Sequence, residues 1–307
     1  MSAPFVKYLW LGVPLFALAE FGAQLHFSHQ FPTVDEWRKV APEVARLKRP
    51  GDLIVVAPSW ADPMARLALG DRLMPIAESA RPDDAGYARA LELGAIGRSS
   101  PELADWPLLE EHTAGNFTLR VRKNPRFTPV SRVLIDHAQP PELEVTEFVE
   151  GGPRACRYNE NASPSSGGLL GTPMFPRRRF KCGAAEGSFV GLTIIEDEDY
   201  RPHRCLWANS GLSDVRLTFK AVPLGNTIRG FVGLPYFMFR DQQGSPVWIT
   251  TLIDGKIVGR YAHRPEQGFR SFDVPTTEQR GQIADVAFQI AVSDPHEHQV
   301  CLYADIR

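Results

Sequence analysis

The sequence predicts a single N-terminal transmembrane helix, then a small α/β domain, then an all-β domain of the jelly-roll or β-sandwich class. Three observations support this: a long apolar stretch near the N-terminus, a short apolar run between two helix patterns, and about nine strand patterns without a helical period in the C-terminal part. The predicted bounds are 1–32 for the membrane anchor, 33–140 for the α/β domain, 141–186 for an irregular linker and 187–307 for the β-sandwich domain. The predicted strands of the last domain include 247–253, 256–263, 283–292 and 299–306, and Asp254-Gly255 is a predicted two-residue hairpin turn.

Residues 8–27 are the predicted transmembrane helix, and Glu20 is their only formal charge. At about 1.5 Å per residue, a helix of this length crosses a hydrocarbon core of about 30 Å. A cleaved signal peptide is the alternative, since Ala17-Leu18-Ala19 is a small-x-small tripeptide. We prefer an uncleaved anchor because the apolar character resumes at Phe21. The residues expected at the membrane interfaces are Tyr8, Trp10, Phe27, Phe31 and Trp37.

Glu20 and Gln24 lie four residues apart and therefore on one face of this helix. A carboxyl group in the hydrocarbon region is costly and usually faces protein. We therefore expect this face to contact a helix of another subunit. In the alternative interpretation, Glu20 lies near the outer interface and reaches water.

Charge and cysteine content point to different compartments. More basic residues follow the segment than precede it, which favours a cytoplasmic C-terminal side, but long domains translocate largely regardless of charge. The four cysteines form no Cys-x-x-Cys pair and indicate two disulfides in an oxidising compartment, with three pairings open. We expect a single-pass protein of the inner (cytoplasmic) membrane whose bulk is periplasmic. The cysteines are Cys156, Cys182, Cys205 and Cys301.

The α/β domain is predicted from helix, strand and hairpin patterns. They are helices over 33–49, from Asp62 and over 84–93, a buried strand over 53–57, and hairpin strands over 108–112 and 117–122. The turn after the buried strand, residues 58–62, contains no glycine, so a phosphate-binding loop is excluded there. The net charge of −2 likewise gives no electrostatic case for nucleic acid.

The predicted linker is rich in Gly, Pro and Ser and ends in a basic cluster. This cluster is a candidate contact for anionic lipid headgroups or an acidic partner, and a solvated loop is the alternative. Its members are Arg177, Arg178, Arg179 and Lys181.

Chemical motifs are scarce. The sequence has no Gly-x-Ser-x-Gly elbow and no His-Glu-x-x-His motif, and we expect no catalytic residue, no metal and no cofactor. Residues 296–298 (His-Glu-His) and 196–199 (Glu-Asp-Glu-Asp) are weak metal candidates, for which solvated loops are the better interpretation. A sugar-stacking platform competes with a core role for the aromatic residues Trp207, Tyr236, Phe237, Phe239 and Trp248.

Two parts of the chain resemble known protein families. The segments Cys205-Leu206-Trp207-Ala208, Gly233-Leu234-Pro235 and Cys301-Leu302-Tyr303-Ala304-Asp305 resemble jelly-roll modules of the galactose-binding-domain-like type. In such modules the first and last strands are antiparallel neighbours. The resemblance therefore implies the pairing Cys205–Cys301, which leaves Cys156–Cys182 to bracket the irregular connection.

The stretch 37–124 resembles the periplasmic tail of bacterial GT-C type glycosyltransferases. The matching segments are Gly51-Asp52-Leu53-Ile54-Val55-Val56-Ala57-Pro58 and Gly70-Asp71-Arg72-Leu73-Met74-Pro75. Those enzymes carry many membrane spans and an acidic catalytic loop between them, whereas this sequence has one predicted span and no such loop. The resemblance therefore implies an exported accessory piece, and no catalytic residue is carried over.

We therefore expect a non-catalytic, membrane-anchored periplasmic accessory subunit. It would dock on subunits of a larger membrane protein complex, such as a photosynthetic reaction centre, and contact the lipid bilayer. The alternative is an anchored glycan-binding protein associated with cell-envelope glycan assembly. A third possibility is an enzyme, or an enzyme remnant, of glycan transfer.

Overall fold

The chain folds into two compact units. The computed structural model describes residues 6–28, 31–163, 174–183, 187–197, 201–209, 213–235, 246–292 and 299–307. The first unit comprises Met1–Glu78 and Tyr87–Phe127, and the second comprises Ser79–Gly86 and Thr128–Arg307. The second unit thus begins before the predicted bound at 140 and includes a short segment from within the predicted α/β region.

The first unit is a four-stranded sheet with helices. Its sheet order is β1-β2-β4-β3, in which β1 and β2 are parallel and the other pairs are antiparallel. Its elements are α1 (Val6–Ser28), α2 (Val34–Leu47), β1 (Leu53–Ala57), α3 (Asp62–Leu69), α4 (Ile76–Ser79), β2 (Arg89–Ala95), β3 (Leu108–Ala114) and β4 (Phe117–Lys123).

The helix predicted over 84–93 is wrong, because its second half belongs to strand β2. Leu91 and Leu93 point to one face of the sheet and Ala90 to the other, and all three are buried. Pairing with β1 over its whole length therefore outweighs the local helix pattern in this stretch. The predicted buried strand and hairpin are confirmed as β1 and as β3 with β4.

Helix α1 covers the predicted transmembrane segment. Its side chains from residue 12 to residue 24 are exposed, including Glu20 and Gln24, whose expected contact with another helix stays a prediction. Among the helices of the described residues, none combines the length and the apolar character needed to cross a bilayer.

Helix α2 packs its apolar face on the sheet. Thr33 caps the helix in a capping box with Glu36, and Trp37 begins the buried face. The expectation that Trp37 lies at a membrane interface is wrong, because this side chain is 0% exposed and its ring lies 4.5 Å from that of Phe117. Trp60 of the same unit is 58% exposed.

The second unit is a β-sandwich. One sheet has eight strands in the order β16-β13-β18-β11-β10-β9-β8, with β5 paired to β18, and the other has six in the order β15-β14-β17-β12-β6-β7. The strands are β5 (Arg132–Val133), β6 (Leu143–Val149), β7 (Gly152–Ala155), β8 (Arg157–Asn159), β9 (Arg179–Lys181), β10 (Phe189–Glu196), β11 (Pro202–Asn209), β12 (Asp214–Pro223), β13 (Thr227–Gly233), β14 (Val247–Ile253), β15 (Lys256–His263), β16 (Arg270–Pro275), β17 (Ile283–Val292) and β18 (Gln299–Ile306).

Inward-pointing residues of both sheets share one hydrophobic core. Val190 and Leu302 of the eight-stranded sheet belong to the same buried cluster as Leu217 and Phe288 of the six-stranded sheet. Alternation of buried and more exposed residues, clearest in β12 and in the first half of β14, contributes to this arrangement. The predicted hairpin at Asp254–Gly255 joins β14 to β15, with φ values of 46° and 77°, and the β-sandwich prediction is confirmed.

The irregular linker predicted over 141–186 differs from the structure. It contains β6 to β9, of which β6 pairs along β12 inside the six-stranded sheet. Leu143 and Val145 alternate with exposed residues and enter the core. Three of these strands have only three or four residues, so the sequence pattern shows them poorly and pairing with longer neighbours defines them.

Two disulfides fasten this unit: Cys156–Cys182 and Cys205–Cys301. This is the pairing that the jelly-roll resemblance implied. In β11 it is Trp207 that stands opposite Cys301, so the second bridge runs diagonally between the neighbouring strands β11 and β18.

A buried ion-pair network attaches the segment 79–86 to this unit. The Arg307 guanidinium lies 3.1 Å from Asp83 and 2.7 Å from Asp305. Arg229 lies 3.5 Å from the same Asp83 carboxylate. Because Arg307 and Asp305 are nearly fully buried, removing one partner would leave a buried charge uncompensated.

His263, at the end of β15, is fully buried, and neither ring nitrogen has a hydrogen-bond partner among the described residues. Burial lowers the pKa of His263 to about 4, an effect that the nearby Glu266 carboxylate partly offsets. The folded protein therefore holds this imidazole in its neutral form at physiological pH.

Replacing His263 with Leu should flatten the acid dependence of stability. The pKa of His263 is lower in the folded chain than in the unfolded chain, so its contribution is complete above about pH 6.5 and lost as the pH falls through 4. Urea unfolding across this range should show a loss larger by about 3 kcal/mol in the wild type than in His263→Leu. The control His137→Leu removes a half-exposed histidine of the same unit. Parallel acid profiles for wild type and His263→Leu would contradict the prediction.

Removal of the two disulfides should differ in cost because they close loops of different length. The separations are 96 residues for Cys205–Cys301 and 26 for Cys156–Cys182. In the chain-entropy model the double alanine variants should lose roughly 4.7 and roughly 3.5 kcal/mol respectively. Denaturant unfolding gives both values, and the reverse order would contradict the model.

Candidate functional site

The outer face of the six-stranded sheet carries an exposed tryptophan. Trp248 in β14 points outward and is 48% exposed. Its neighbours on the two flanking strands are Ala262 in β15 and Ala291 in β17. Because methyl groups are too small to cover an indole, these two neighbours leave the ring partly open to a ligand among the described residues.

A chain of polar side chains lies on the same face. Arg216 of β12 donates from Nη2 to Gln289 Oε1 of β17 at 2.8 Å. Gln289 also hydrogen-bonds to the side chain of Asp214, two residues before Arg216 on β12. Gln289 thus links a cation and a carboxylate on one strand, and the three groups are held in fixed positions.

The guanidinium of Arg216 packs on an aromatic ring. Its guanidinium carbon lies 4.8 Å from the centre of the Phe148 ring of β6, which holds the planar group over the sheet. Its Nε is buried and has no hydrogen-bond partner among the described residues.

Asp214 is a carboxylate whose burial is unfavourable. Partial burial raises the pKa of Asp214, and hydrogen bonds from the Gln289 side chain and the Val292 backbone only partly offset the effect. The ionised form is therefore less stable in the folded protein than in water. Ligand hydroxyl donors are groups that would stabilise it.

The row that contains Gln289 extends to the sheet edge. Thr250 of β14 stands between Gln289 and the exposed Arg260 of edge strand β15. The face thus combines one bare aromatic ring with an amide, a carboxylate, a hydroxyl and two guanidinium groups. Such a surface suits a ligand with an apolar face and several hydroxyl groups. No group of three metal-binding side chains is found among the described residues.

Of the five aromatic residues predicted as a sugar-stacking platform, the structure describes Trp207 and Trp248. Trp207 is 1% exposed and packs edge-on against Phe189 at 5.0 Å, so a role for it in sugar stacking is excluded. Trp248 alone among the described candidates is available. Tyr236, Phe237 and Phe239 lie outside the described residues.

The basic cluster contains one member that was assigned wrongly. Arg177, Arg178 and Lys181 are exposed, and their expected contact with a lipid or partner stays a prediction. Arg179 is 6% exposed and donates to the backbone oxygens of Ser163 and Pro176, at 3.1 and 2.9 Å. Its guanidinium carbon also lies 5.9 and 5.7 Å from the centres of the Phe175 and Phe189 rings, so Arg179 is unavailable to a partner.

Two residues of the acidic candidate are described. Glu196 is the exposed last residue of β10. Asp197 lies 2.8 Å from His203 Nε2 and accepts a hydrogen bond from the Arg201 backbone at 2.9 Å, so its carboxylate has internal partners. Residues 198, 199 and 296–298 of the two weak metal candidates lie outside the described residues.

A local pattern in the sequence marks two residues of the site. Asp214 and Arg216 alternate with the buried Val215 and Leu217, a period-2 pattern that marks outward positions in a strand. The sequence does not reveal the register that brings Gln289 of β17 opposite Arg216.

Comparisons with known proteins identify no family for this chain. No family model matches it, and no curated protein matches it. The resemblance of 37–124 to glycosyltransferase tails is therefore not shown.

Several solved structures are weakly similar. One contains the CBM51-2 carbohydrate-binding module, in complex with GlcNAc, and the INT domains of Clostridium perfringens ZmpB: identity is 12%, coverage is 53% of this chain and 37% of that one, and the TM-score is 0.29. For the CBM51 module of C. perfringens GH95 in complex with methyl-galactose, the identity is 6% and the TM-score is 0.28. The match covers 38% of this chain and 80% of that one. For the M60 catalytic domain of C. perfringens ZmpB with its CBM51-1 and CBM51-2 domains, the identity is 8% and the TM-score is 0.30. The match covers 66% of this chain and 20% of that one. This chain thus covers little more than a third of the first structure, and at these scores the likeness carries no argument about function.

Proposed function

We propose that this protein binds a glycan, without altering it chemically, on the outer face of its six-stranded sheet. The observation that carries the proposal is Trp248, whose bare indole face lies beside the fixed polar chain of Asp214, Gln289 and Arg216. A sugar ring has an apolar face that stacks on an aromatic ring and hydroxyl groups that hydrogen-bond at its edge.

The location that fits this proposal is an oxidising compartment such as the periplasm. Two disulfides support it, because such bonds persist outside the reducing cytosol. Anchoring by residues 8–27 stays a prediction. The expected docking on a photosynthetic reaction centre or another membrane complex gains no support from the fold or from the comparisons, which also indicate no enzyme family.

Replacing Trp248 with Ala should abolish detectable binding on a glycan array, or weaken it by roughly tenfold or more, because an aromatic face is worth on the order of 1.5–3 kcal/mol when covered. Ile257→Ala is the matched control, since it removes a 54%-exposed apolar side chain from the neighbouring strand β15. Failure of the wild type to bind any glycan, or equal binding by Trp248→Ala, would refute the proposal.

Replacing Asp214 with Asn should separate binding from stability. At neutral pH the variant should resist urea better than the wild type, because the raised pKa of Asp214 means that its ionised form disfavours folding. This gain should vanish near pH 3, where the carboxyl is protonated in both the folded and unfolded states. Glycan binding should weaken, because the amide accepts ligand hydrogen bonds less strongly than a carboxylate. A variant that is less stable at neutral pH, or that binds as well as the wild type, would contradict this account.

A further inference from the structure

The first unit contains a groove that the proposed function does not use. It lies along α2 and the segment that follows α3, with a volume of about 710 Å³, which is within the roughly 300–1,000 Å³ typical of small-molecule sites. Ala41, Ala45 and Leu69 contribute apolar surface to it. Its size and its partly apolar lining suit a ligand with an alkyl or ring portion.

The charged side chains that line the groove are all cations. They are Arg38, Lys48, Arg49 and Arg72, and neither Asp nor Glu is among the lining residues. Among the residues that the structure describes, the side chains of Arg49 and Arg72 have no carboxylate partner. Two guanidinium groups in one concavity therefore remain available to an anion.

Lys48 has a different role in the groove. Its Nζ donates to the backbone oxygen of Leu73 at 2.6 Å and lies 3.2 Å from Glu78. The Lys48 side chain is only 15% exposed. This contact fastens the end of α2 to the chain that follows α3, so the two walls of the groove are held together before any ligand arrives.

The helix dipole explains only part of this charge. Cations at the end of α2 are favourable there because the carboxyl end of a helix carries partial negative charge, which accounts for Lys48 and Arg49. Arg38 lies in the first half of α2, where its guanidinium pairs with the Asp35 carboxylate at 3.1 Å. Arg72 belongs to another segment, so the dipole of α2 does not account for its charge.

We propose that this groove binds a phosphorylated amphiphile. Arg49 and Arg72 would hold the phosphate monoester, whose charge of about −1.5 to −2 matches two guanidinium groups better than a single carboxylate does. The alkyl portion would lie over Ala45 and Leu69. The ligand class is thus a molecule with one phosphate at the end of an apolar chain.

The test is a ³¹P NMR titration of the full chain with octyl phosphate below its micellar concentration. The wild type should broaden the phosphate line in a saturable way, and inorganic phosphate alone should bind much more weakly. Arg49→Ala/Arg72→Ala should weaken binding by roughly tenfold or more, because two charge-assisted hydrogen-bond donors are lost. Ala45→Glu should have a similar effect by placing a carboxylate in the groove.

The matched control is Arg98→Ala/Arg126→Ala. It removes the same charge from two exposed positions of the same unit that do not line the groove, and it should bind like the wild type. Since all substituted side chains are exposed, unchanged thermal unfolding checks that each variant is folded. The proposal is overturned if the groove variants bind normally, if inorganic phosphate binds as tightly as octyl phosphate, or if neutral octyl glucoside displaces octyl phosphate at equal concentration.

Discussion

The alternation of side chains along paired strands is the constraint on which the β-sandwich depends. In β12 the same five residues supply Val215 and Leu217 to the core and Asp214, Arg216 and Thr218 to the outer face. A slip of one residue would exchange the two sets and place a carboxylate and a guanidinium inside. The buried face therefore fixes the outward face as well, and the polar chain beside Trp248 is positioned by the packing of the opposite side.

The first unit obeys a different constraint. Strand β1 is buried on both faces, since Ile54 and Val56 pack with the helices while Leu53 and Val55 meet Trp106 on the other side. Strands β1 and β2 therefore offer no open face to a ligand, whereas edge strand β3 is exposed along most of its length. The groove proposed to bind phosphate lies between helix α2 and the chain beyond α3, where side chains and not strand register determine the chemistry.

The sequence predicted those parts whose pattern is local. The strands β14, β15, β17 and β18 have the predicted bounds, and the buried strand β1 was identified from five consecutive apolar residues. Strand β2 was missed because a local sequence pattern does not show that this stretch pairs in parallel with β1. Of the residues of the candidate site, only Trp248 was predicted from the sequence. The partners of this residue come from β12 and β17, which are brought together by long-range register, and the burial of Arg179 and Trp207 likewise depends on chain segments distant in sequence.

The attachment of Asp83 to Arg307 determines how the chain is shared between the two units. Since Ser79–Gly86 belongs to the second unit, the chain passes from one unit to the other three times, after residues 78, 86 and 127. A single cut at residue 127 therefore does not yield two intact pieces. The C-terminal piece would retain Arg307 and Arg229 but lose the carboxylate they share, together with the backbone bond from Arg204 to Ala80. Evolutionary exchange of either unit as a module would face the same difficulty, because its boundaries in space are not boundaries in sequence.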